Sequence, residues 1–305
     1  MNILMPHIAG RLFDTPLLLA PEKASAMLMG LGGRLVEGGV FVIEPGPQGL
    51  DAALPASSMG VVDGTFSRAV QQAERRPFPV VDGVAVIGVE GSLIQKGAYV
   101  GKSSGQTSYQ GIQVQIARAR AEANQLRGAV LEIDSLGGEV SGAFETWQAI
   151  SELSKVLPTM AILTDLACSG GYLLASACRQ VVMPESGAAG SIGVLSLHLD
   201  QSGKLEREGT KVEIIASGLY KADGGSVGPL SDDLRNRLQA RNDATRDRFA
   251  TVVAAGRKGR MTKGQVLATE ARIYFGREAL DIGLIDAIAP AQQAFESFAR
   301  AVNKA

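Results

Sequence analysis

Cysteine and histidine are nearly absent from this chain of 305 residues, which has two of each. Cys168 and Cys178 stand ten positions apart on what reads as one helix, about 15 Å at the helical rise and too far to bridge. No disulfide framework is expected, so a reducing compartment is the default. The absence of a Cys/His ligand cluster argues against structural zinc, and neither a metal nor a cofactor is expected. An excess of one charge is also missing. With 30 Lys+Arg against 31 Asp+Glu, nothing favours an electrostatic nucleic-acid binder. The basic cluster Arg257-Lys258-Gly259-Arg260 reads as solvated loop. No apolar run reaches the 18 residues of a membrane span, and the short run from Pro16 to Pro21 lacks a signal peptide's basic start. A cytoplasmic protein without a membrane span is expected, and no internal repeat points to a solenoid.

What is present is 46% hydrophobic residues, enough for a full core. Residues 1–76 read as an N-terminal arm or propeptide-like region, with a Pro/Gly break at Glu44–Gly49 and an Ala/Ser/Gly-rich stretch after it. Residues 77–290 read as the compact domain and 291–305 as a helical tail. Strands are expected at Val84–Val89, Ala129–Ile133, Met160–Thr164, Gln180–Met183, Ser191–His198 and Lys211–Ala216. Helices are expected at Ile112–Gln125, Ser141–Leu153 and, in a helical C-terminal part, at Asp232–Ala255, Thr262–Glu270 and Glu278–Ile282. This alternation predicts an α/β fold with crossover units.

Two motifs carry chemistry. In Asp165-Leu166-Ala167-Cys168-Ser169-Gly170-Gly171-Tyr172, a strand-like run gives way to small residues and then to a helix. Ser169 therefore sits at a helix start, either as an ordinary N-cap or as a nucleophile beside free amides. In Ile133-Asp134-Ser135-Leu136-Gly137-Gly138-Glu139, a strand ends in two glycines before a helix. This is either a tight turn or a place where the Gly137 or Gly138 amide joins that of Gly170 to hold an oxyanion. Cys168 is a rival nucleophile, more simply read as buried packing. A serine nucleophile needs a base. His7 is incidental. His198 alternates with Asp200 on one expected strand face, as a triad pair or a structural pair. Lys221 follows an apolar segment in a loop of small residues, where burial would have to lower its pKa by roughly 3 units.

The ordered motifs Asp134-Ser135-Leu136-Gly137-Gly138, Ala167-Cys168-Ser169-Gly170-Gly171-Tyr172, Gly190-Ser191-Ile192-Gly193 and Gly218-Leu219-Tyr220-Lys221 resemble the signal peptide peptidase A family of Ser–Lys peptidases. The resemblance is greatest to its phage prohead (capsid maturation) branch. It runs from about Phe78 to Ile288 and implies a Clp-protease/crotonase-like β-β-α superhelix. It also implies Ser169 as nucleophile, Lys221, 52 positions downstream, as general base, and Gly137, Gly138 and Gly170 around the oxyanion. Ser191 matches a serine supporting the dyad, and His198 becomes structural. Leu136 stands where the family usually has proline, which leaves the choice between Gly137 and Gly138 open.

The function so implied is an ATP-independent serine endopeptidase that processes scaffold, capsid proteins or its own termini, in the host cytoplasm or the assembling prohead. By the same resemblance the chain forms a homo-oligomeric ring whose subunits share the dyad. The alternatives are a signal-peptide-type or protein-quality peptidase, a crotonase-type acyl-CoA enzyme using Glu139, and a non-enzymatic capsid component.

Overall fold

A computed structural model of the chain describes Phe13 and residues 15–20, 76–96 and 106–304. Most of the expected arm, and the start of the Gly/Ser loop after Lys96, lie outside the described residues. The strands, in chain order, are β1 (Pro16–Leu19), β2 (Val80–Val81), β3 (Val84–Ile94), β4 (Gln106–Ser108), β5 (Gly128–Glu139), β6 (Thr159–Cys168), β7 (Gln180–Met183), β8 (Ala188–Gly190), β9 (Leu195–Ser196), β10 (Ile273–Phe275) and β11 (Ala287–Ile288). The helices are α1 (Tyr109–Ala121), α2 (Ala143–Val156), α3 (Gly170–Ala175), α4 (Ser202–Arg207), α5 (Asp232–Gly256), α6 (Lys263–Ala268), α7 (Gly276–Asp281) and α8 (Ala291–Lys304). The described residues up to Leu17 form one compact unit with Val194–Arg248. Leu18–Ala20, the described part of 76–193, and 249–304 form the other.

The second unit is the α/β body that the alternation predicts. β3, β5, β6 and β7 run parallel side by side, with α1, α2 and α3 in the connections. Parallel strands joined by helices are covered on both faces and so read as continuous apolar runs. Val84, Val86, Val130, Met160, Ile162 and Val182 pack with Ala294, Phe298 and Ala299 of α8. The alternate residues Ala85, Ile87, Leu131 and Ala161 are fully buried as well. β6 changes neighbour along its length, pairing with β7 through Met160–Ile162 and with β8 through Leu166–Cys168. That change carries its C-terminal end away from β7 and fixes where the following turn lies.

A buried ion pair ties the C-terminal helices to this sheet. Arg257, fully buried, donates to Asp286 through Nη1 and Nη2 at 2.8 and 2.9 Å, and to the Gly283 carbonyl through Nε at 3.1 Å. The Asp286 carboxylate also accepts the Val181 amide of β7 at 2.8 Å. A planar guanidinium can satisfy a carboxylate and a carbonyl together, which a lysine ammonium cannot match in geometry.

In the first unit, β1 and β9 pair antiparallel, Pro16 with Ser196 and Leu17 with Leu195. Here two expectations are corrected. Of Ser191–His198 only Leu195–Ser196 is strand, and Lys211–Ala216 is not a strand but exposed along its whole length. Its apolar alternation is real, but a strand needs a partner for its backbone groups, and none is assigned to it among the described residues. A third correction concerns the cysteines. Cys168 ends β6 and Cys178 follows α3, so they do not share a helix. Both are buried, and neither is in a disulfide among the described residues.

Replacing Arg257 by leucine should destabilise the protein by about 3–5 kcal/mol, because Asp286 is left as a largely buried, under-compensated charge. Arg260 bonds the same carboxylate but is 40% exposed, so Arg260→Leu should cost under about 1 kcal/mol. Denaturant midpoints of the two variants give the comparison, and equal losses would contradict this account.

Candidate active site

The end of β6 sets the geometry. The Ser169 amide donates to the Gly190 carbonyl of β8 at 2.8 Å, continuing the ladder one residue beyond the strand. The backbone then turns with φ 53° and ψ −118° at Ser169 and enters α3, where the Leu173 amide returns to the Ser169 carbonyl at 2.9 Å. A serine in that region costs about 1–3 kcal/mol unless its surroundings hold it there. The N-cap alternative does not survive, because Ser169 makes no side-chain cap bond. Its Oγ is buried and has no hydrogen-bond partner among the described residues. A partnerless buried hydroxyl costs about 1–3 kcal/mol, and such groups cluster where chemistry is done.

Three backbones converge on this serine. A Cβ built on Gly137, whose φ is +94°, would lie 2.0 Å from the Leu18 carbonyl oxygen, 2.8 Å from the Gly170 nitrogen and 3.0 Å from Ser169 Cβ. Only glycine fits there. One built on Gly171 would lie 2.7 Å from the Ser135 carbonyl oxygen, so the helix bearing the serine rests directly on β5. Gly138 pairs with Leu93 of β3. The structure thus brings Ser169, Gly137 and Gly170 together at the ends of β5 and β6.

Residues that the sequence reading left without a role complete the surroundings. Ser135 Oγ donates to the Gly91 carbonyl at 2.6 Å and accepts the Gly137 amide at 3.1 Å. Tyr109 donates to the Glu139 carbonyl at 2.9 Å, and a Cβ on Gly170 would sit 3.0 Å from its hydroxyl. Burial, and secondarily the Glu139 charge, hold the Tyr109 phenol far above its usual range, so it remains a donor. Tyr172 anchors α3 through a 2.7 Å bond to the Leu284 carbonyl, and burial raises its pKa too. Ser135 was legible in the motif as a small polar residue. Tyr109 carried no local signal, since its partner lies thirty positions away in sequence.

The remaining candidates are placed as follows. Ser191 is buried at φ 52°, its amide bonded to the Arg272 carbonyl at 2.9 Å, one residue after the carbonyl that holds Ser169. Lys221 belongs to the first unit, in a turn closed by its own amide on the Gly218 carbonyl at 3.1 Å, and its side chain is exposed. His198 also lies in the first unit, with Nε2 at 3.0 Å from the Gly228 carbonyl. Asp200 accepts the Ser202 amide at 2.8 Å, and this bonding keeps its pKa below the usual carboxylate value. The Glu139 carboxylate accepts the Gln95 amide at 2.8 Å. Cys168 is fully buried, and burial pushes the Cys178 thiol up to about 12, which makes it a poor nucleophile.

Because the strain sits in the backbone of Ser169, replacing this residue by glycine should relieve it, whereas alanine should keep it. Ser169→Gly is expected to be more stable than Ser169→Ala by about 1 kcal/mol or more by chemical denaturation. The opposite order would show that the turn is not strained.

Comparison with known proteins gives the family of the chain. The profile of peptidase family S49 matches residues 151–304. The chain is 34% identical over 287 residues to capsid assembly protease C of Escherichia phage lambda, covering 92% of this chain and 62% of that one. It is 33% identical to head-tail preconnector protein GP5 of Enterobacteria phage P21, covering 98% of this chain and 58% of that one. A chloroplastic serine protease SPPA of Arabidopsis thaliana shares 28% identity, over 56% of this chain and 25% of its own. The chain therefore spans about three fifths of the length of the two phage relatives. Among solved structures it is similar to a ClpP1 mutant from Listeria monocytogenes, with a TM-score of 0.41 and 14% identity over 68% of this chain and 92% of that one. With the S49 profile covering the serine-bearing turn and the strands and helices that follow it, this chain belongs to peptidase family S49.

Proposed function

We propose that this chain is an ATP-independent serine endopeptidase in which Ser169 Oγ attacks a peptide carbonyl. The observation that carries the reading is the buried, partnerless hydroxyl of Ser169 on a strained strand-to-helix turn, with the Gly137 and Gly170 backbones against it. Strain at such a turn presents a nucleophile in one fixed direction. The tetrahedral oxyanion would be held by the Gly170 amide and the Gly138 amide. Gly138 is preferred to Gly137 because the Gly137 amide is already taken by Ser135 Oγ. Ser191 would support the arrangement from the end of β8.

Lys221 is the proposed general base. Neutrality near pH 7 requires desolvation, yet the Lys221 side chain is exposed in the single chain. The segment around it is unusually apolar for a surface: Ile215 is 93% and Leu219 84% exposed, and Val212, Ile214 and Tyr220 are more than half exposed. Such a cluster is the mark of an association surface. We therefore assign it to a homo-oligomeric ring in which the segment bearing Lys221 packs against the serine turn of a neighbouring copy, completing the dyad between subunits.

The substrates proposed from the phage relatives are scaffold and capsid polypeptides, or the enzyme's own termini, cut in the host cytoplasm or the assembling head. Among the described residues no helix is long and apolar enough to cross a membrane, so nothing described matches the anchor of a signal-peptide-digesting enzyme. The acyl-CoA alternative would rest on Glu139, whose carboxylate accepts the Gln95 amide, and membership of peptidase family S49 favours the peptidase reading over it. A structural role in the head remains the second reading, favoured by the preconnector relative.

Ser169→Ala should abolish cleavage of scaffold or of the chain's own termini, read by intact mass beside the wild type. Retained cleavage rules out the nucleophile, and normal heads without any processing would favour the structural role. Mixing inactive Ser169→Ala with inactive Lys221→Ala subunits should restore activity if the dyad is shared. No recovery would place both residues of each site in one chain.

A further inference from the structure

We propose that Leu18-Leu19-Ala20 occupies, within its own chain, the place of an extended peptide substrate, and that the site opens only when this segment is displaced. The inference rests on the peptidase reading of Ser169 and adds to it a substrate class and a restraint on access.

Four observations converge on it. Leu18 and Leu19 belong to an extended strand, and Leu18, Leu19 and Ala20 are 0%, 4% and 0% exposed. The Ala20 amide donates to the Leu136 carbonyl at 3.0 Å, a main-chain bond to β5 immediately before Gly137. Addition of a strand to a sheet is a common way to bind a peptide without reading its sequence. The Leu18 carbonyl oxygen is the atom nearest the point beside Gly137 Cα that also lies 2.8 Å from the Gly170 nitrogen and 3.0 Å from Ser169 Cβ. That oxygen is also 3.4 Å from where a Cβ on Gly170 would stand, so a peptide carbonyl already lies against the two glycine backbones beside the serine. Finally, the Ser169 hydroxyl is fully buried, so no substrate reaches it until something covering it moves.

A glycine at 137 suits this role. Its missing side chain is what lets a peptide carbonyl lie against the backbone at this point, and the occupant in this chain is Leu18. Side chains in that place here are aliphatic at Leu18 and Leu19 and small at Ala20. The class of substrate that fits is thus an extended, aliphatic segment, available only in chains or termini that are not folded. An internal occupant of the same kind keeps the nucleophile covered until such a segment competes it away.

The test uses the full chain and an alkyl fluorophosphonate that labels an activated serine. Ala20→Pro removes the amide that bonds Leu136, and Leu18→Asp places a charge where none is solvated. Each should speed labelling of Ser169 by about tenfold, the worth of one backbone hydrogen bond. A synthetic peptide of residues 15–22 added to either variant should slow labelling again. Labelling at the wild-type rate, or indifference to the peptide, overturns the proposal while leaving Ser169 as a reactive serine. Absence of labelling in every folded form would count instead against the peptidase reading. Should the variants fail to fold, hydrogen exchange on full-length Ser169→Ala still decides. Saturating unfolded casein should accelerate exchange at the Ala20 amide, and unchanged protection overturns the proposal.

Discussion

Between β6 and α3 the backbone reverses at a single serine whose amide is still part of the sheet and whose carbonyl already belongs to a helix. That reversal demands φ 53° at Ser169, a conformation that L-residues avoid. The neighbours are arranged to hold it. β8 takes the Ser169 amide, β5 presses on α3 at Gly171, and Tyr172 pins the short helix to the Leu284 carbonyl. The glycines at 137 and 171 follow from the same constraint, since a side chain at either would meet a backbone oxygen at 2.0 or 2.7 Å. What resembles a composition bias toward small residues is the room needed for three backbones to meet at one hydroxyl.

Much of the second unit can be understood as support for that meeting point. β6 parts from β7 and takes up β8 at Leu166, and this steers its end toward Gly190. Breaks of register between Glu90 and Ser92 on β3 and between Ile133 and Ser135 on β5 fall beside the site. Irregularities of this kind re-aim side chains next to active sites, and Ser135 uses its displaced position to bond both the Gly91 carbonyl and the Gly137 amide. Farther away, the Arg257–Asp286 fork fastens the helices that follow Phe249 to β7. The first unit is built differently, with Lys221 and several large apolar side chains turned to solvent. A surface of that kind is costly in an isolated chain and explicable in an assembly.

The α/β character was legible because short continuous apolar runs such as Val84–Val89 and Ala129–Ile133 suit parallel strands with both faces covered and alternate with helical segments. The serine motif was legible too, as a string of small residues between a strand and a helix. The misreadings share one cause. Cys168 and Cys178 read as one helix because local pattern continues smoothly through Ser169, whereas the reversal there is held by the Gly190 carbonyl, which no local window contains. Lys211–Ala216 alternates like a strand but has no assigned partner among the described residues, and pairing is a property of two segments, not one. Tyr109 and Leu18 went unnoticed for the same reason, since each matters only through what it touches on β5.

By itself, then, the order of residues determined the class of fold and marked a serine at a helix start and a glycine pair at a strand end, because periodicity and residue size are local properties. Tertiary structure decided the rest. It turned Ser169 from a cap into a strained hydroxyl without a hydrogen-bond partner among the described residues, committed the Gly137 amide to Ser135, bonded the Glu139 carboxylate to the Gln95 amide, and set the Leu18 carbonyl against Gly137. Each of those outcomes depends on hydrogen-bond partners and close contacts between segments far apart in the chain, and only folding brings such groups within reach of one another.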